Sequence, residues 1–324
     1  MESKEVCGME KKIKESPGFG VKQKASRKTY LKNNYQLYLM LILPVLYLIL
    51  FKYKPMIGII IAFKKFNIFQ GVIMSPWIGL RNFNEAFSSA QFWLALRNTL
   101  VLNIGDILFG FPLPIILAVF LYEVRNNLIK KSTQLILYLP HFLSWVIIAG
   151  IVQQLFAKQG LVNNMIGLLS GGASIDFLSS TGWWRVVYWV TGIWQGAGYN
   201  LIIYLAALSG TDPTLNEAAY IDGATRMKRI WYVTIPQIRG TITMMLIMSL
   251  GNVMSISFER PYMMGNTLVS DAAEVISTYV FKTGLENMRY DYAAAVGLFQ
   301  SVVGIVLVLM VNQMAKKFGE EGII

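Results

Sequence analysis

The chain has little of what most catalytic chemistry needs. It contains one cysteine, Cys7, and one histidine, His141, so a disulfide framework and the common zinc-binding spacings are both excluded. Only 15% of its residues are charged, and the 18 Asp and Glu residues form no sequence cluster that suggests paired acid and base groups. No G-x-x-x-x-G-K-[ST] run occurs, so the chain lacks the loop that usually cradles nucleotide phosphates. Residues 1–33 carry Lys11, Lys12, Lys14, Lys22, Lys24, Arg27, Lys28 and Lys32 without the apolar core of a secretory signal. These absences predict a chain that binds no metal or cofactor of its own and is not itself an enzyme.

What is present is apolar. Hydrophobic residues make up 55% of the 324 and aromatic residues 13%, a composition suited to a lipid bilayer. The formal charge of +11 could suggest nucleic acid, but the basic residues cluster at the ends of apolar runs and form no stripe. An all-α integral membrane protein with about six spans is expected, near residues 35–51, 97–121, 133–156, 185–208, 240–258 and 291–315. A basic tail, 1–34, precedes the membrane domain, 35–324. An even number of spans puts both termini on one side. The excess of Arg125, Lys130, Lys131, Arg226, Lys228, Arg229, Arg239, Lys316 and Lys317 makes that side cytoplasmic. Segments 52–96, 157–184 and 259–290 then face outward.

Polar side chains inside the spans are candidates for a solute pathway, because a charge at membrane depth costs several kcal/mol unless it meets a partner or a wet cavity. Asn103, Asp106, Gln195, Asn200, Asn252 and Glu259 are such groups, and hydrogen bonds between helices are the competing explanation for each. Trp145, Trp194, Tyr199 and Tyr204 share these helices and offer faces on which sugar rings would stack if they line a cavity.

Between the fourth and fifth spans, residues 210–236 form a polar loop. Asp212 suits an N-cap, Pro213 the first helical position, and Gly223 a left-handed helix end. A second short helix runs from Arg226 to Val233 and leads to Pro236.

Within this loop Glu217-Ala218-Ala219, then Asp222-Gly223-Ala224, then Ile235-Pro236 resemble the EAA loop of membrane subunits in binding-protein-dependent ABC importers. The Tyr53 to Phe63 region, with Pro55, Gly58, Ala62 and Phe63, and Trp77-Ile78-Gly79-Leu80-Arg81-Asn82-Phe83, Asn98-Thr99-Leu100 and Tyr204-Leu205-Ala206-Ala207-Leu208 are similar to the carbohydrate-uptake branch. The run Tyr138 to Trp145, the segment Thr278 to Leu285 and the ending Gly319-Glu320-Glu321-Gly322 resemble permeases for complex oligosaccharides of the pectin- and alginate-derived type. The resemblance implies the type I ABC importer permease fold in a bacterial plasma membrane. It also implies a second, different permease as partner, two ATP-binding subunits that use ATP and Mg, and a lipid-anchored or periplasmic solute-binding protein that delivers a sugar or oligosaccharide. On this reading Glu217, Ala218, Ala219, Asp222, Gly223, Ala224, Ile235 and Pro236 couple to the ATPase. The rival expectation, a self-sufficient secondary transporter, requires an ion-coupling set inside the membrane.

Overall fold

A computed structural model describes residues 34–317. The basic tail and the last seven residues, with Gly319-Glu320-Glu321-Gly322, lie outside the described residues. No strand occurs among the described residues, only an isolated bridge between Lys64 and Trp77. The chain forms two compact units, one ending at Ile57 and the other beginning at Gly58.

The first unit holds most of α1 (Tyr35–Phe63). Its helix widens to a π-turn over Ile49–Tyr53, directly ahead of Pro55. Proline lacks a donor and its ring crowds the carbonyl four residues back, so a wider turn relieves the clash.

The second unit contains α2 (Arg81–Ser88), α3 (Ala90–Tyr122), α4 (Asn127–Tyr138), α5 (Trp145–Phe156), α6 (Leu161–Ser170), α7 (Thr181–Ser209), α8 (Pro213–Ile221), α9 (Arg226–Gln237), α10 (Arg239–Gly251), α11 (Glu259–Met264), α12 (Ile276–Phe281) and α13 (Tyr290–Lys317). Among the described residues four stretches are long and apolar enough to cross a membrane: α1, α3, the Trp145–Ser170 stretch and α13. The pair α9 and α10, bent by 66°, makes a fifth. Helix α7 has 29 residues and brings the number of long helices to six, but Arg185, Gln195 and Asn200 dilute its apolar character.

Two expected spans are shorter than the apolar runs suggested. The run from 133 to 156 breaks at a 3₁₀ turn, Leu139–Phe142, and restarts at Trp145, where the Ser144 hydroxyl accepts from the Ile147 N–H at 3.4 Å. Pro140 and the serine cap explain the interruption. The run expected to reach 258 stops at Gly251, and seven irregular or turn residues follow before α11.

Helix α7 is the central element. Trp184, Val187, Tyr188, Thr191, Gly198, Leu201, Leu205 and Leu208 are buried along it; the first three join one core cluster and the three leucines a second. One cluster gathers Trp184 and Tyr188 with Leu102, Ile148 and Val275. The other gathers Leu201, Tyr204 and Leu208 with Ala118, Leu121, Ile230 and Ile238. In lipid the hydrophobic effect does not drive helices together, so close packing of small residues must. Gly198 shows this directly: a Cβ there would meet the carbonyl of Leu137 at the end of α4.

The segment 266–289 is tied to α3 by polar contacts. Asn98 donates to the carbonyls of Asp271 at 2.8 Å and Glu274 at 3.0 Å, and the Thr99 hydroxyl accepts from the Ile276 N–H at 2.9 Å. The buried Glu274 carboxylate receives Gln91 and Lys282. Arg289 reaches back to Glu85 on α2 with two parallel bonds of 2.7 and 3.0 Å. The resulting hydrogen bond to Arg289 holds the Glu85 carboxyl below its ordinary value of 4.5.

Two outcomes are expected. Gly198→Ala should lower the thermal midpoint of the detergent-purified protein by overpacking worth about 1–3 kcal/mol. Gly196→Ala, with nothing within 4 Å of the added carbon, should not. Equal responses would contradict this packing. The Glu85 pair has a depressed folded pKa, so its contribution is complete above 4.5 and lost as pH falls through the lowered value. Both side chains are about half exposed, so the effect is under about 1 kcal/mol. The stability gap between wild type and Glu85→Gln should therefore close on acidification, measured as the difference in unfolding midpoint.

Candidate functional site

Two regions concentrate chemistry, and each is built by local rules. The first is the loop after α7. The Asp212 carboxylate accepts from the Thr214 N–H at 2.9 Å, which caps α8 and holds that carboxyl below the usual range. At the other end Gly223 takes φ +76°. The Ala224 N–H then donates to the Ala219 carbonyl at 3.0 Å and the Gly223 N–H to the Tyr220 carbonyl at 3.1 Å. These paired bonds form a Schellman ending, for which a glycine in the left-handed region is the usual device. Glu217, Ala218, Asp222 and Gly223 are exposed, while Ala219 and Ala224 are half-buried. Leu215, Tyr220 and Ile221 are exposed on the same short helix, an unusual display of apolar surface.

Beside α8 lies a recess of about 380 Å³ lined by Glu123, Arg125, Asn216, Glu217, Tyr220 and Arg229 among others. Arg229 sits 5.4 Å over the Tyr220 ring, and Arg226 pairs with Glu123 at 3.0 Å, so α8, α9 and the end of α3 are locked together. Ile235 is half-buried against the core around Ile230 and Ile238, where it anchors the loop. Pro236 is exposed beside it.

The second region is a cleft of about 240 Å³ between α3, α7, α10 and α11, lined by Asp106, Gly192, Gly196, Asn200, Ser249 and Arg260 with apolar neighbours. Asp106 is the middle residue of α3. Its two carboxylate oxygens accept from the two terminal nitrogens of Arg260 at 2.7 and 3.1 Å. Arg260 also donates to the Tyr188 carbonyl at 2.5 Å. Its guanidinium lies 3.6 Å over the Tyr188 ring and 5.1 Å from that of Trp145. Gly192 leaves the room: a Cβ there would collide with the guanidinium.

The other pathway candidates separate by what they touch. Asn200 lines the cleft, and Trp145 borders the arginine. Asn103 donates to the Val253 carbonyl at 2.7 Å and so fastens the irregular turn after α10. Asn252 caps α10 through Met248 at 3.0 Å and lines a separate recess with Ser255 and Gln300. Gln195 donates to the His141 carbonyl at 3.4 Å, and Tyr199 stacks on the His141 ring at 4.4 Å. Trp194 is 47% exposed and does not line the cleft. Glu259 is exposed; the charge that turns inward is its neighbour Arg260, at 8% exposure.

Sequence reasoning missed Arg260 because the fifth apolar run was expected to leave the membrane there. The available signal was the pairing rule itself: a buried Asp106 demands a cation, and Arg260 lies two residues beyond the run expected to end at 258. Ser249 was missed for a weaker reason, since a lone serine in an apolar helix usually bonds its own backbone, as Ser249 does to Met245.

Comparison with known proteins gives a consistent picture. The profile of the family described as binding-protein-dependent transport system inner membrane component matches residues 110–319. The chain is 43% identical to the polygalacturonan/rhamnogalacturonan transport system permease protein YteP of Bacillus subtilis, over 89% of each chain. It is 42% identical to the protein LplB of the same organism, over 90% of this chain and 92% of that one. Among solved structures it superposes with TM-score 0.82 and 40% identity on a chain of a bacterial ABC transporter that imports the acidic polysaccharide alginate, covering 89% of this chain and 98% of that one. A bacterial alginate ABC transporter in complex with an alginate pentasaccharide-bound periplasmic protein gives TM-score 0.83 at 38% identity, with 91% and 99% covered.

Gly223→Ala is expected to strain the left-handed position by about 1–2 kcal/mol. Amide exchange over residues 213–224 should then accelerate, while Gly240→Ala, which needs no such backbone and meets nothing, leaves it unchanged. Equal exchange in wild type and Gly223→Ala would refute the assigned helix ending.

Proposed function

The chain belongs to the family of inner-membrane components of binding-protein-dependent transport systems, and from that premise we propose how this carbohydrate-importer subunit divides its work. It is a multi-pass membrane protein and a permease component of an ABC importer. On our reading it pairs with a second permease, and its own share of the pathway is the cleft lined by Asp106, Asn200, Ser249 and Arg260. A solute-binding protein delivers the sugar from outside, and both termini lie in the cytoplasm.

The observation that carries the reading is the platform after α7. It presents Glu217 and the apolar Leu215, Tyr220 and Ile221 to solvent in a chain with no phosphate loop. An exposed apolar helix rimmed by charge is a docking surface. We assign it to an ATP-binding subunit, two of which would serve the permease pair and hold ATP and Mg. Glu217 supplies the polar contact, Ala218 and Ala219 allow close approach, and Gly223 closes the helix so that it moves as one body. Because α8 is locked to α9, displacement by the closing ATPase dimer would be passed to α10 and so to the cleft.

The substrate class we propose is an acidic, uronate-containing oligosaccharide. The support is that relatives at 43% and 40% identity are named for polygalacturonan/rhamnogalacturonan and for alginate, described as acidic.

The test is to tag the chain after Ile324, extract it from native membranes in mild detergent and identify what co-purifies. The expected result is an ATP-binding subunit and a second permease, both lost or reduced on replacing Gly223 by Trp. Recovery of the chain alone would overturn the proposed division of labour.

A further inference from the structure

A buried ion pair on the wall of a solute cleft needs a reason, because two hydrophobic residues of similar volume commonly serve stability as well. Three features of the Asp106–Arg260 pair give one. First, the guanidinium is fixed by everything except its carboxylate: Tyr188 supplies a carbonyl and a ring face, and Trp145 lies along another side. Second, the two partners are unequally buried, with 25% of the Asp106 side chain accessible against 10% of the Arg260 side chain. The aspartate is therefore the partner with room to turn away. Third, the cleft is open beside Gly196, where nothing lies within 4 Å of an added Cβ, and its volume of about 240 Å³ suits one sugar ring and not a whole oligosaccharide.

We propose that Arg260 is the receptor for a sugar carboxylate, and that Asp106 occupies it as a built-in stand-in until a uronate residue enters the cleft. This rests on the reading of the substrate as an acidic oligosaccharide. The exchange replaces one carboxylate by another on the same planar fork, so the number of charge-assisted hydrogen bonds is conserved. Asp106, released, turns into the wet cleft, where water and the sugar hydroxyls solvate it. Asn200 provides a neutral donor for the rest of the ring, and the Ser249 oxygen, whose hydrogen is spent on the Met245 carbonyl, provides an acceptor. A neutral sugar cannot make the same exchange. Its hydroxyl would leave the guanidinium charge uncompensated in a buried site, and this penalty against the wrong ligand is what gives selectivity. The stand-in also spares the empty pathway a buried, unpaired cation.

The experiment uses the assembled permease–ATPase complex in detergent, without binding protein, and measures equilibrium binding of radiolabelled trigalacturonate. The same trisaccharide with its carboxyl groups reduced to alcohols serves as the neutral probe. Asp106→Asn removes the competing carboxylate and is expected to tighten trigalacturonate binding by about tenfold, with no gain for the reduced form. Asp106→Asn combined with Arg260→Gln removes both charges together and is expected to abolish preference for the acid. Unchanged or weaker acid binding in Asp106→Asn would overturn the proposal, as would a double variant that still prefers the acid. If either variant does not assemble with its partners, the other decides alone. The substrate reading is tested separately by uptake with binding protein present: a wild-type importer that takes up no trigalacturonate and no alginate oligosaccharide refutes that reading, whatever the permease binds.

Discussion

A guanidinium in the middle of an apolar bundle has to be neutralised, and much of the architecture around the cleft follows from that constraint. Arg260 reaches Asp106 only because the chain re-enters the bundle after α10, because Gly192 leaves a hollow in α7, and because α3 continues far enough for Asp106 to be its midpoint. Four groups around the guanidinium contribute electron-rich surface: a carboxylate, a carbonyl and two rings. Removing either charge alone would leave the other buried and unpaired, which is why the pair is best understood as one unit.

A similar logic holds the segment after the cleft. Backbone that is neither helix nor strand must find partners for its N–H and C=O groups when it is not bathed in water. Asn98 and Thr99 on α3 provide them for Asp271, Glu274 and Ile276, and Asn103 does so for Val253. These polar residues lie on one long helix and act as a row of clips for irregular chain. That use of asparagine explains why some side chains expected in the solute pathway are instead spent on backbone.

The parts of the molecule that were legible in the sequence are those governed by near-neighbour chemistry. Asp212, Pro213 and Gly223 announce a capped helix within a dozen residues, and the structure contains it with the cap and the left-handed ending in place. The apolar runs announced membrane helices because lipid imposes length and composition directly. Interruptions such as Leu139–Phe142 were less visible, since Pro140 sits in an otherwise continuous apolar run and hydropathy cannot register a change of direction. Arg260 was hidden for a related reason. Its burial depends on a return of the chain into the bundle, and only the demand of Asp106 for a partner hints at it from a distance. Tyr199 and His141 show the limit for aromatics: residues far apart in sequence stack on each other, which no single-helix pattern contains.

The bend of 66° between α9 and α10 has a mechanical meaning. A stroke delivered along the axis of α9 resolves, at that angle, mostly into a component across α10 and only in smaller part along it. On the proposed coupling to an ATPase, the joint would work as a crank. Pushing from below would tilt the helix that carries Ser249 sideways, widening or narrowing the cleft instead of sliding the helix through the membrane, and no polar end of α10 would need to be dragged into lipid.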